Sequence, residues 1–99
     1  RIKPEDIEIH YKLGSAYRMA GRYAEAARTF KQVISLKPDF TEAYSNLGST
    51  YFNLGRYPEA IEIYQQAIAL KPDDPCAYPV LGAAYVKLER YAEAIDAFQ

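Results

Sequence analysis

Apolar residues along this chain fall into two helical stripes, and the pair of stripes recurs. Between residues 41 and 70, Ala43, Tyr44, Leu47, Tyr51 and Leu54 recur at steps that put them on one face of a helix. Gly55 interrupts this stripe, and a glycine there permits the positive φ of a tight turn. Ala60, Ile61, Tyr64, Ala67 and Ile68 form the second stripe. Lys71-Pro72 ends it, because proline cannot continue a helix and biases the residue before it towards extended backbone. The pattern predicts a helical hairpin. Asp39 is the expected N-cap of its first helix, with Glu42 three residues on completing a capping box.

The same pattern appears 34 residues earlier and 34 residues later. Leu13-Gly14, Leu47-Gly48 and Leu81-Gly82 keep this step, as do Tyr17, Tyr51 and Tyr85. So do Ala26, Ala60 and Ala94, and then Phe30, Tyr64 and Phe98. A fixed period of this size predicts stacked copies of one supersecondary unit. Helices are expected over 7–20, 21–35, 41–54, 55–69, 75–88 and 89–99. A lone hairpin cannot bury both stripes, so each must lean on the next. The fold class is therefore all-α, a solenoid of antiparallel helical hairpins. One array over 1–99 is expected, with repeats over about 7–40, 41–74 and 75–99, the last short in its second helix.

Within a hairpin, Gly48 is expected to face Ala60, with Tyr51 and Tyr64 filling the space around that close contact. Three positions depart from the repeat. His10 stands where the other copies have Tyr44 and Tyr78, and so reads as a packing residue. Glu89 replaces the turn glycine of Gly21 and Gly55, which costs about 1 kcal/mol if that position is left-handed. Pro79 falls early in its helix, where a slight distortion near Pro75 is expected.

The motif Tyr44, Leu47, Gly48, Tyr51, Ala60, Tyr64 and Pro72 resembles the tetratricopeptide repeat, and the resemblance covers nearly the whole chain. It implies a right-handed superhelix whose first helices line a concave groove that holds a peptide segment or a partner helix. The first copy puts Tyr11, Lys12, Ser15 and Arg18 there, flanked by Glu8 and Met19. The second puts Asn46, Ser49, Phe52 and Asn53, with Glu42 and Ser45. The third puts Val80, Ala83 and Lys87, with Cys76, Pro79 and Val86. These positions vary between copies while the packing positions stay nearly constant. Packing residues meet the same neighbour each time, whereas a bound peptide differs at each step. Asn46 offers both amide groups to a peptide backbone. Phe52 offers an aromatic anchor, and Arg18 and Lys12 offer cations to a carboxylate.

Two subclasses of the family bear on the partner. One grips the C-terminal carboxylate of chaperone tails with Lys and Asn in the first repeat, Asn in the second, and Lys and Arg in the third. Here those places hold Tyr11, Ser15, Asn46, Cys76 and Val80, so only Asn46 fits and tail capture is not expected. The superhelix of the O-linked N-acetylglucosamine transferases lines its groove with asparagines. Asn46 matches one rung, with Lys12 and Val80 at the neighbouring ones, which leaves a substrate-recruiting array of a larger enzyme as an alternative.

Composition narrows the rest. A net charge of −1 gives no general attraction to nucleic acid or to an anionic membrane surface. No run is apolar for long enough to span a bilayer. Ten tyrosines suggest base stacking, but most sit at packing positions and no basic track accompanies them. One histidine and one cysteine are too few for a zinc site, and no constellation of nucleophile and base stands out, so neither metal, cofactor nor catalysis is expected. Cys76 forms no internal disulfide and requires no oxidising compartment, so the cytoplasm is the expected setting. Arg1-Ile2-Lys3-Pro4 copies the tail of a repeat, and the last copy stops short, so the chain is expected to be part of a longer array. The expected partner is a protein or peptide. The array ends, with Ile2 and Ile7 at one and Ile95 and Phe98 at the other, suggest head-to-tail self-association as an alternative.

Overall fold

A computed structural model describes residues 6–73 and 77–99. Arg1, Ile2, Lys3, Pro4, Pro75 and Cys76, which figure in the sequence reading, lie outside the described residues. The chain forms three hairpins, α1 (Ile7–Met19) with α2 (Tyr23–Leu36), α3 (Thr41–Asn53) with α4 (Tyr57–Leu70), and α5 (Ala77–Lys87) with α6 (Tyr91–Phe98). No strand occurs among the described residues. Each helix packs on the next in sequence, and α1, α3 and α5 also touch in turn. The result is an elongated all-α solenoid of 43 × 26 × 16 Å. Because the first helices approach one another more closely than the second helices do, they occupy the inner side of its curve.

The second helices begin at Tyr23, Tyr57 and Tyr91, two residues later than the pattern predicts. The turn explains the shift. Gly21 and Gly55 have φ of 80° and 76°, and Glu89 takes the same conformation at 60°. The Gly21 amide donates to Arg18 O at 3.0 Å and the Arg22 amide to Tyr17 O at 2.8 Å, the Schellman closure of a helix end. The Arg56 and Arg90 amides make the same bond to Tyr51 O and Tyr85 O. Each arginine then lies over the tyrosine it has closed upon, at 5.0 to 5.1 Å, and pairs with the glutamate three residues on. The recurring Arg-Tyr-x-Glu-Ala block is therefore a device for closing turns.

Asp39 does not cap α3, which has no side-chain cap at all. The chain turns after Pro38, with the Phe40 amide bonded to Lys37 O at 3.0 Å, and Phe40 itself occupies the N-cap position. Burying the Phe40 ring against Val33 and Ala43 sets the path here and leaves Asp39 in solvent.

The glycine of each Leu-Gly pair faces an aromatic ring, not an alanine. A Cβ at Gly48 would sit 2.9 Å from the Tyr64 ring, one at Gly14 2.8 Å from Phe30, and one at Gly82 2.7 Å from Phe98. Gly48 is needed because a flat ring lies directly on its backbone, while Ala60 is buried elsewhere in the same core. The core runs through the stack from Phe30 by Leu47 and Tyr64 to Leu81 and Tyr85. Leu13 departs from its copies. It is 43% exposed where Leu47 and Leu81 are 1% and 7%, since α2 and α4 cover those two and no described helix precedes α1.

His10 is half-buried and its Nδ1 donates to Asp6 O at 3.0 Å. Its counterparts Tyr44 and Tyr78 extend further and donate to the Pro38 and Pro72 carbonyls. Pro79 is the third described residue of α5, and the Pro75 carbonyl that it was expected to crowd lies outside the described residues.

Candidate functional site

The inner face of α1, α3 and α5 carries the residues the repeat does not dictate. Its centre is a polar knot between the first two hairpins. Asn46 Nδ2 donates to the Tyr11 hydroxyl at 2.7 Å and to Glu42 O at 3.0 Å. Its Oδ1 accepts from Arg18 Nη1 at 3.3 Å. The amide that the sequence offers to a peptide is thus largely engaged within the chain. Both donor hydrogens are used, and one acceptor position remains on Oδ1. A peptide N–H can bond there without disturbing the knot, whereas a peptide carbonyl must displace Tyr11 or Glu42.

Tyr11 is held as firmly from below. Its ring stacks on Phe40 at 4.9 Å and 30°, and tilts against Phe30 at 5.9 Å. Burial pushes the Tyr11 hydroxyl above its ordinary pKa, and the charge of Glu42 adds to this. Beside the knot, Ser49 Oγ and the Tyr64 hydroxyl are 2.6 Å apart. Tyr64 therefore does two things, packing its ring on Gly48 and delivering its hydroxyl to the inner face.

Phe52 is partly buried, edge-on to Tyr57 of the same hairpin at 5.2 Å and 73°. Val80 and Ala83 are half-covered, Val80 against the core. Lys12, Asn53 and Lys87 are exposed, as are Glu8, Met19, Glu42, Pro79 and Val86. Ser15 and Ser45 are half-buried. The structure therefore brings together Tyr11, Arg18 and Asn46, and sets Ser49 next to them. Lys12, Asn53 and Lys87 remain separate solvated positions along the same face.

Three hairpins of identical turn geometry, stacked with their first helices inward, match a known pattern. The model of the tetratricopeptide repeat family matches residues 11–75. The chain belongs to that family. Among solved structures, the first tetratricopeptide domain of Spaghetti (RPAP3), bound to the HSP90 peptide SRMEEVD, superposes with a TM-score of 0.91 at 25% identity, over 98% of this chain and 77% of that one. MamA superposes with a TM-score of 0.92 at 32% identity, over 97% of this chain and 56% of its own. The chain thus spans little more than half of MamA's length. The translocator chaperone SycD of Yersinia enterocolitica type III secretion shares the fold at 20% identity, with a TM-score of 0.91 over 94% of this chain and 70% of its own. No curated protein sequence matches the chain.

As a tetratricopeptide array, the protein departs from simple repetition at two residues that sequence reading did not join. Tyr11 corresponds to Ser45 and Pro79, and Phe40 corresponds to Asp6 and Asp74. Each is an aromatic where the other copies have none, and the two stack on each other. Paired exceptions to a repeat are the signal that points to such a contact. No group of three or more metal-ligating side chains occurs among the described residues, and no described helix is long and apolar enough to cross a membrane.

Proposed function

We propose that this tetratricopeptide array is a non-catalytic interaction scaffold that receives a peptide segment or partner helix along the inner face of α1, α3 and α5. The observation that carries this reading is the division of labour within the repeat. Turn and packing residues recur, while the inner face presents Arg18, Asn46 and Phe52 without repetition. The similarity to a tetratricopeptide domain bound to an HSP90 peptide supports a peptide as the occupant. The side chains argue against the same tail chemistry, because Tyr11, Ser15 and Val80 stand where the chaperone-tail clamp takes other residues. The Arg18 cation favours an acidic or carboxylate-bearing side chain near the knot, and Phe52 and Val80 favour apolar ones further along.

A random peptide library panned against the protein tests this. Selected peptides are expected to lose about tenfold or more in affinity with Asn46→Asp/Phe52→Glu. Circular dichroism of that variant should be unchanged. Peptides held equally by both proteins would remove the inner face as the binding surface.

A further inference from the structure

A second surface with binding chemistry lies away from the inner face, where α2 meets the end of α3. A pocket of about 240 Å³ opens there, and three cations line it, Arg28 and Lys31 from α2 and Arg56 from the turn after α3. None of its lining residues belongs to the inner-face set. Its floor is Tyr51, whose ring has Lys31 Nζ at 5.6 Å and the Arg56 guanidinium at 5.1 Å. One buried ring thus draws two cations into the same small space, and like charges brought together this way favour an anion between them.

Little in the chain answers that charge. Among the described residues, neither Arg28 nor Lys31 has a carboxylate within ion-pair distance. Glu59 pairs with Arg56 at 2.7 Å. The Arg56 hydrogen bond holds the Glu59 carboxyl below its ordinary range, and the Lys31 charge adds to that pull. One carboxylate against three cations leaves the pocket positive.

The repeat supplies its own control. One period on, Arg28 becomes Glu62 and Lys31 becomes Gln65, whose amide donates to the Tyr85 hydroxyl at 3.0 Å. Two periods on, the same places hold Asp96 and Gln99. Tyr51, Leu54 and Arg56 recur as Tyr85, Leu88 and Arg90, so the scaffold of the pocket is a property of the fold while its charge belongs to the first junction alone. Stacking two hairpins therefore does not require these cations.

We propose that this junction pocket binds a phosphate monoester, with Arg28, Lys31 and Arg56 holding its oxygens over the Tyr51 ring. The Arg28 guanidinium and the Lys31 ammonium, together with Nη1 of Arg56, whose Nε and Nη2 donate to Glu59, match a dianion with several acceptor oxygens better than a single carboxylate. The monoester reaches the pocket either as a free phosphate or on a phosphorylated side chain of a partner protein.

The test is a titration followed by amide NMR on the whole chain at low salt. The probes are inorganic phosphate, a short phosphoserine peptide and the same peptide without phosphate. The phosphopeptide is expected to shift amides around Arg28, Lys31 and Arg56. It should bind about tenfold or more tightly than its unphosphorylated form, and weaken as salt rises. Arg28→Glu/Lys31→Gln installs what the second junction already carries, so the fold is expected to survive, and binding should be lost. Asn46→Asp/Phe52→Glu should leave it unchanged, which separates this site from the inner face. Inorganic phosphate binding as tightly as the phosphopeptide would support the same chemistry with a free ligand as its source. Equal affinity for the two peptides with no phosphate response, or undiminished binding to Arg28→Glu/Lys31→Gln, would overturn the proposal.

Discussion

At the scale of single residues, the glycines divide into two kinds with different consequences. Gly48 is fixed by contact, because a methyl there meets the Tyr64 ring at 2.9 Å. Gly48→Ala is expected to cost about 1–3 kcal/mol, read from the urea midpoint, as overpacking does elsewhere. Gly55 is fixed by backbone geometry, since nothing lies within 4 Å of its absent Cβ. Glu89 has the geometry without the glycine, at φ 60°. Glu89→Gly should therefore raise stability by about 0.5–1 kcal/mol, the left-handed strain relieved less the added freedom of the unfolded chain. Tyr64 gives a pH signature. Burial pushes its hydroxyl above the ordinary value of 10.0, against the opposing Ser49 bond and Arg18 charge. The folded protein keeps this proton where the unfolded chain has released it. That contribution to stability is whole below pH 10.0 and is lost as pH rises through the folded value. Tyr64→Phe should flatten the alkaline fall in melting temperature, and a fall as steep as wild type would assign it to another group, such as Tyr11, which shifts the same way for the same first cause.

At the scale of elements, recurrence made the helices legible. The stripes placed all six, and the Lys-Pro pairs ended two of them where expected, with Lys37 and Lys71 in extended backbone before proline. The helix starts were less legible, because a Schellman turn takes two residues past the helix end and the polar pattern does not separate them from the next helix. The misplaced cap at Asp39 has another cause. Propensity favoured the aspartate, and burial of Phe40 overrode it. The inner face was legible as a set of positions but not as a set of bonds. Sequence spacing puts Tyr11, Arg18 and Asn46 on inward faces, yet only the stacking angle of the hairpins decides that Asn46 turns back on Tyr11. The Tyr11–Phe40 stack ties α1 to the segment before α3. Phe40→Ala is expected to cost about 3–5 kcal/mol in chemical denaturation, as loss of a buried phenylalanine does. It should also loosen Tyr11, seen as a return of its hydroxyl towards the ordinary pKa.

For the molecule as a whole, the ends differ from the middle. Ile95 and Phe98 are 56% and 58% exposed, while their counterparts Ile61 and Tyr64 are 6% and 1%. Inside the array those places are covered by the first helix of the following hairpin. A second copy presenting the exposed Ile9 and Leu13 of α1 offers the same kind of cover. Association that grows with concentration and weakens in Phe98→Glu is the expected result in sedimentation. A strict monomer at high concentration would mean that these surfaces stay open or await other cover.

The exposed Leu13 also bears on how the protein comes apart. Within these 99 residues each hairpin packs only on its sequence neighbours, so the middle one has two supports and the outer ones have one each. Opening should then proceed inward from both ends. Amides of α3 and α4 would exchange with deuterium last, and a protease acting on transient openings would trim the outer hairpins before cutting the central one.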